Sequence, residues 1–133
     1  MENSVNPSVD PVPTELRLRS VSKLLEVSFA SGEHYALPFE YLRVNSPSAE
    51  VQGHGPGQEV LVLGKENVQI TAIEPVGHYA VKLVYDDGHD SGLYTWKYLR
   101  ELGREMPRKQ QEYRQRVAER VAKQLAEKRK AGQ

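Results

Sequence analysis

Apolar residues recur at every second position through the early part of the chain. Leu16 and Leu18 alternate with Glu15, Arg17 and Arg19, and Leu25, Val27 and Phe29 alternate with Glu26 and Ser28. A period of two sends successive side chains to opposite faces, so both segments predict half-buried strands. Ala30-Ser31-Gly32-Glu33 predicts a turn in which the glycine takes positive φ, and His34 to Leu37 predicts a third short strand. Pro38 suits the first turn of a short helix that places Phe39 and Leu42 on one face. From Asn45 to Gly64 the period is lost among Pro47, Gly53, Gly55, Pro56 and Gly57, which predicts a long loop of the kind that often carries function. Its end, Val60-Leu61-Val62-Leu63, is a candidate strand.

Alternation returns at Val68, Ile70 and Ala72, and again at Tyr79, Val81, Leu83 and Tyr85, with Pro75-Val76-Gly77 as the turn between them. The pair predicts antiparallel strands, and Ala80 and Val84 make the second apolar on both faces, as in a central strand. Asp86-Asp87-Gly88 is a tight-turn signature, and Ser91 to Tyr94 returns as a short strand. Thr95 is placed to cap a helix carrying Trp96, Leu99 and Leu102, with Gly103 ending it. After Pro107 the spacing changes to four: Tyr113, Val117, Val121 and Leu125 form one narrow apolar stripe on a long charged helix, flanked by Ala118 and Ala122. Such a stripe packs on its own domain or on a twin helix. The expected fold is α+β: a small antiparallel sheet, two short helices and a C-terminal charged helix. Residues 1–13 read as a flexible arm, 14–103 as the domain and 104–133 as a basic helical tail.

Composition adds exclusions. The chain has 133 residues, 38% apolar and 27% charged, the balance of one globular domain. No apolar run approaches the roughly 18 residues of a membrane span, and the start has no leader pattern, so no membrane partner is expected. Cysteine is absent, which excludes disulfides, thiolate-held metal or iron–sulfur centres and a cysteine nucleophile, and fits a cytoplasmic protein. The zero net charge hides an asymmetry. Residues 1–103 hold 8 Lys/Arg against 14 Asp/Glu, and residues 104–133 hold 10 against 4. The basic tail offers Arg108, Lys109, Arg114, Arg116, Arg120 and Lys123 as phosphate contacts, but its mixed sign and the acidic body favour a solvated or packed helix.

Catalytic motifs do not emerge. Gly64-Lys65-Glu66 lacks the hydroxyl residue of a phosphate-binding loop, and no GxSxG, HExxH or GxGxxG pattern is present. Ser46 and Ser48 have no triad spacing, and Asp86/Asp87 read as turn chemistry. His34 and His78 read as surface or half-buried strand residues. His54, in the glycine-rich loop, is a candidate ligand to a metal, and His89 reads first as a structural histidine bonded to its turn. One imidazole is a poor zinc site, since zinc takes four ligands.

Two stretches, Leu42-Arg43-Val44-Asn45-Ser46-Pro47-Ser48-Ala49-Glu50-Val51 and Asp87-Gly88-His89-Asp90-Ser91-Gly92-Leu93-Tyr94-Thr95-Trp96-Lys97-Tyr98-Leu99-Arg100, together resemble the DUF971 family. This is the small N-terminal domain of gamma-butyrobetaine hydroxylase-like oxygenases, and the resemblance spans about residues 14–103. It implies an α+β unit with a small antiparallel sheet and a structural zinc held by three cysteines and the histidine of the Asp-Gly-His turn. By position the cysteines fall at Ser46, Ser48 and Val51, so only His89 keeps its ligand type. The resemblance therefore implies a lost zinc site, with at most a weak iron or zinc site re-formed by His54 and His89 and no cofactor otherwise expected. It also implies no catalysis, because the oxygenase chemistry belongs to a separate barrel. Similar domains accompany P-loop ATPases that carry iron–sulfur clusters, which suggests a role beside iron metabolism.

The resulting expectation is a non-catalytic accessory module that binds a protein partner. Its surface would be the Asn45–Gly57 loop beside the His89 turn, with Trp96 and Tyr94 near it and Arg43, Asn45, Ser46, Ser48, Trp96 and Arg100 as binding residues. Arg43 and Arg100 are expected to pair with the acidic turn, and Trp96 also reads as a plain core residue. The alternative is a nucleic-acid-associated protein that uses the basic tail.

Overall fold

The computed structural model describes residues 11–47, 61–90 and 92–132. Six strands and three helices follow in order: β1 (Pro13–Arg19), β2 (Leu24–Phe29), β3 (His34–Pro38), α1 (Phe39–Val44), β4 (Ile70–Val76), β5 (Ala80–Tyr85), β6 (Leu93–Thr95), α2 (Trp96–Arg104) and α3 (Met106–Ala131). The fold is α+β and the strands are antiparallel, divided between two three-stranded sheets ordered β1-β2-β3 and β4-β5-β6.

The alternation in β2 buries Leu25, Val27 and Phe29, while Glu26 and Ser28 face outward. Lys23 takes φ 57 in the β1–β2 turn, and its carbonyl accepts the Phe39 N–H at 2.9 Å, which fixes where α1 starts. Pro38 precedes α1 in the extended conformation, and Phe39, Tyr41 and Leu42 are its buried residues. In the second sheet β5 is the central strand, as its two apolar faces predict, with Ala80, Val81, Leu83 and Tyr85 buried. Helices α1 and α2 join the sheets around one core that contains Phe39, Leu42, Leu83, Tyr94, Leu99 and Leu102. Each such side chain contributes about 1.5–3 kcal/mol by leaving water.

Four expectations change. Residues 61–63 have no strand pairing, and the rest of the predicted loop between 48 and 60, with His54 and Ser48, lies outside the described residues. Pro13, expected in the arm, opens β1 and pairs with Phe29, while residues 1–10 lie outside the description. Pro75 does not turn the chain; it pairs with Val81 inside β4, which an edge strand permits because no ladder needs its missing N–H. Gly103 does not end α2. It sits inside the helix, buried, where a Cβ would come within 2.3 Å of the Tyr35 ring. Its role is close packing, and Glu105 takes the cap position.

Thr95 caps α2 as expected, its hydroxyl accepting the Tyr98 N–H at 3.0 Å. Helix α3 has 26 residues, about 39 Å of rod. Its first turns rest on the body: Met106 packs against the core, and the Tyr113 hydroxyl donates to the Val62 carbonyl at 2.7 Å. No residue of α3 is fully buried, and beyond Val117 its described side chains are exposed. No helix among the described residues is long and apolar enough to cross a membrane.

Candidate functional site

The end of α1 and the turn after β5 meet at a buried polar centre. Gly88 takes φ +90 in that turn, which lets the chain reverse within Asp86-Asp87-Gly88. The turn is bonded from both sides. The Gly88 N–H donates to the Tyr85 carbonyl at 3.3 Å, and the Tyr85 N–H to the His89 carbonyl at 3.0 Å. The Asp86 carboxylate accepts the Gln69 N–H at 3.0 Å. His89 is thereby turned inward, 8% exposed, with its ring 5.9 Å from that of Tyr85. Its Nε2 lies 2.8 Å from Ser46 Oγ, in a contact between residues 43 positions apart.

Asp87 anchors the outer side of the same turn. Its carboxylate accepts the His89 N–H at 3.0 Å, Arg43 Nε at 2.8 Å and Lys65 Nζ at 2.7 Å. Burial alone would raise this carboxyl, but the bonds from Lys65, from the His89 backbone and from Arg43 hold it well below the usual carboxylate range. Arg43 also lies over the Tyr85 ring, 5.8 Å from its centroid, and its Nη1 is buried without a hydrogen-bond partner among the described residues.

Three tyrosines close the frame. The last carbonyls of a helix have no partner within it and need donors from elsewhere. The Tyr94 hydroxyl donates to the Leu42 carbonyl and that of Tyr98 to the Asn45 carbonyl, both at 2.6 Å, at the end of α1. The Tyr41 hydroxyl donates to the Leu102 carbonyl at 2.6 Å, near the end of α2. Tyr94 has spent its proton on Leu42, so the Tyr85 hydroxyl, 2.8 Å away, donates to it. Burial pushes the Tyr94 and Tyr98 hydroxyls up to about 12 and the Tyr85 hydroxyl well above its ordinary value. Sequence reasoning places Tyr94 beside the expected binding surface and Tyr85 on a strand face, and gives Tyr41 and Tyr98 no capping role. The hydroxyls of Tyr41, Tyr94 and Tyr98 each reach a carbonyl more than 50 positions away, so no local signal marks them.

This centre does not fit the zinc that the resemblance implies. Two ligands of one tetrahedral ion, each about 2.0–2.1 Å from it, stand roughly 3.3 Å apart, and the metal occupies the gap. Ser46 Oγ and His89 Nε2 fill that gap with their own hydrogen bond. Ser46 is also enclosed at 2% exposure, and a Cβ on Gly92 would come within 2.3 Å of its Oγ. A hydroxyl is moreover a weak zinc donor beside a thiolate.

The other expected binding residues do not form one patch. Asn45 and Ser46 border an open groove of about 610 Å³ that also meets Pro47, Leu61, Tyr98 and Tyr113. Arg43 pairs with the acidic turn as expected, but Arg100 does not. It grips Glu33 at 3.0 Å in the connection before β3, because α2 packs against β3. That bond, followed by the Tyr35 hydroxyl, brings the Glu33 carboxyl down to about 2. Trp96 is half-buried against the core edge, with its indole N–H on the His78 carbonyl at 2.8 Å. On α3, Tyr113 and Val117 are half-buried, while Val121 and Leu125 are exposed.

Comparison with known proteins follows this geometry. Two solution NMR structures are similar. One is 50% identical, with a TM-score of 0.73, covering 91% of this chain and 89% of the other. The second is 46% identical, with a TM-score of 0.71, covering 83% and 86%. A crystal structure of a protein of unknown function from Acidithiobacillus ferrooxidans, assigned to the DUF971 family, is 40% identical, with a TM-score of 0.59, covering 74% of this chain and 98% of the other. No curated protein matches. The profile of the family described as gamma-butyrobetaine hydroxylase-like, N-terminal, matches residues 16–100, from β1 through α2. With two-thirds of its length matched, and with the Arg43–Asp87 and Ser46–His89 contacts joining the two stretches that carry the resemblance, the chain belongs to the gamma-butyrobetaine hydroxylase-like N-terminal family, DUF971.

Proposed function

We propose that this domain is a non-catalytic accessory module that binds a protein partner through the groove beside the end of α1. The observation that carries the reading is the enclosure of the buried hydroxyl–imidazole pair Ser46 and His89. Ser46 and His89 resemble a nucleophile and its base in distance, at 2.8 Å, but Ser46 is enclosed beneath Gly92. A nucleophile needs room for the reacting carbon within about 3–3.5 Å, and Ser46, 2% exposed with Gly92 packed on its hydroxyl, offers little. The pair holds two segments together and presents the surface outside it. That surface, with Asn45, Leu61 and Tyr98 along an open groove, mixes apolar and hydrogen-bonding groups as binding patches do.

The partner class to try first is a protein that carries or assembles an iron–sulfur centre, because similar domains keep company with cluster-bearing ATPases. The experiment is elemental analysis and visible absorption of the full chain purified without oxygen, beside His89→Ala. A colourless, metal-free, folded protein supports a pure interaction module. Near-stoichiometric iron or zinc that disappears in His89→Ala refutes the sealed reading of this centre. The second reading, nucleic-acid association, rests on the 9 Lys/Arg against 3 Asp/Glu along α3. It requires affinity for duplex DNA that falls steeply with salt and drops when Arg116 and Arg120 are replaced.

A further inference from the structure

We infer that the outer half of α3 is a self-association surface: two copies of the chain cross their long helices at Val117 and Val121, and each basic helix end rests on the acidic wall of its partner's body. A groove of about 510 Å³ runs between α1, residues 63–66 and α3. Its floor is apolar, from Tyr41, Val44, Leu63 and Val117, and Val121 stands at its rim. Leu63, Val121 and Leu125 are 39%, 46% and 52% exposed, so the stripe leaves the body with its apolar side uncovered. An amphipathic helix draws most of its stability from packing that stripe, and α3 continues to Ala131, well past Val117, its last half-buried residue.

Charge identifies the occupant. Glu40 and Glu66 line one side of this groove with Arg114 opposite, and neither carboxylate has an ion-pair partner among the described residues. They lie close enough to each other that Glu66 adds to burial in raising Glu40. The free end of α3 carries Lys128, Arg129 and Lys130. A second copy therefore supplies both things the groove lacks: an apolar ridge in Val121 and Leu125, and cations for the two carboxylates.

The spacing of the stripe sets the geometry. Residues four apart form the ridges that interlock when helix axes cross at about 50°, not the seam of a coiled coil. Crossing avoids laying two strongly basic helices along each other. With antiparallel helices centred between Val117 and Val121, Lys128 lies nine residues from the crossing, about 13 Å along its own axis. At an inclination of about 50° this puts it about 9 Å along the partner helix, level with Tyr113, and about 10 Å to one side. Glu40 and Glu66 are the acidic groups that act on Tyr113. The contact is isologous, as in most homodimers.

The test is light scattering behind size exclusion on the full chain, from about 1 μM to about 1 mM, the range expected of a small interface. The expected result is a reversible dimer. Val121→Lys with Leu125→Lys removes two apolar contacts and is expected to raise Kd about 100-fold, with the near-ultraviolet dichroism of the body unchanged because both residues are exposed. Glu66→Lys weakens association about tenfold, and adding Lys128→Glu and Lys130→Glu in the same chain restores it. The inference is overturned by a monomer throughout the range or by a dimer indifferent to Val121→Lys with Leu125→Lys. A charge reversal without rescue overturns it too. So does a monomer that binds duplex DNA through the same helix.

Discussion

Replacing Ser46 with alanine removes one oxygen and takes from His89 Nε2 the hydroxyl it meets at 2.8 Å. The ring is 8% exposed, so water does not take over the bond. A buried polar group left without its partner costs about 1–3 kcal/mol. For a chain of this size, where each kcal/mol moves Tm by roughly 4 °C, the expected fall is about 4–12 °C. The added cavity is one atom and contributes little, so the loss measures the hydrogen bond and not packing. A double-mutant cycle isolates it. Adding His89→Phe to Ser46→Ala removes both polar partners and keeps a ring against Tyr85, and matched apolar replacements are nearly neutral. The double variant is therefore expected to recover more than half of the lost Tm, measured by calorimetry or by circular dichroism during heating. If Ser46→Ala lies within about 0.5 kcal/mol of the parent, or if the two changes add, the Ser46–His89 bond does not hold the site together.

Acid should act through two carboxylates. Asp87 and Glu33 are depressed in the folded state, so their contribution is present above the unfolded values near 4 and drains away as pH falls through the folded ones. Urea titrations are expected to show stability dropping from about pH 4 toward pH 2, with a shallower slope in Asp87→Asn; a slope unchanged in that variant refutes the Asp87 assignment. Alkali should act through the buried phenols. Tyr94 and Tyr98 are raised to about 12, so the stability they give is present below the unfolded value near 10 and is lost as pH rises through 12. The tyrosinate absorbance that Tyr94→Phe and Tyr98→Phe remove is expected to appear together with loss of near-ultraviolet dichroism, and its appearance in a still folded protein would count against the caps. Gly103→Ala should reverse the usual rule. Alanine normally favours a helix interior by up to about 1 kcal/mol, but here its Cβ meets the Tyr35 ring at 2.3 Å, so a lower Tm is expected and a higher one refutes the packing argument.

The elements were legible where a period was clean. The alternation around Leu25 and Val27, the doubly apolar β5 and the Thr95 cap each state a local physical demand, and the chain meets it. Pro75 and Gly103 misled for the opposite reason. Their meaning depends on a neighbour elsewhere in the chain: a missing partner strand for one, the Tyr35 ring for the other. The candidate site shows the same division. The Asp86-Asp87-Gly88 turn and its link to Arg43 follow from turn chemistry and charge, but Arg100 went to Glu33 because α2 lies on β3, a tertiary fact that spacing does not encode. The roles of Tyr94 and Tyr98 were hidden because a phenol at an apolar position looks like core until the carbonyl beside it is known.

The loss of the metal ligands that the resemblance implies at Ser46 poses an energetic question. A structural zinc in a small domain contributes on the order of 10 kcal/mol, whereas one neutral hydrogen bond contributes about 1 kcal/mol. The Ser46–His89 bond therefore keeps the geometry of the junction without supplying the energy of a metal site. The remainder is spread over contacts on either side. Asp87 is held by two cations and a backbone N–H, and Tyr94 and Tyr98 each tie the end of α1 to the second sheet or to α2. These groups act on the same two segments as Ser46 and His89. The junction needs the core beside it, with Leu42, Tyr85 and Tyr94, to exclude water, since each of these bonds is worth most where it is buried. That requirement explains why the polar centre is sealed. These contacts keep Ser46 and His89 enclosed, and the open groove runs outside them.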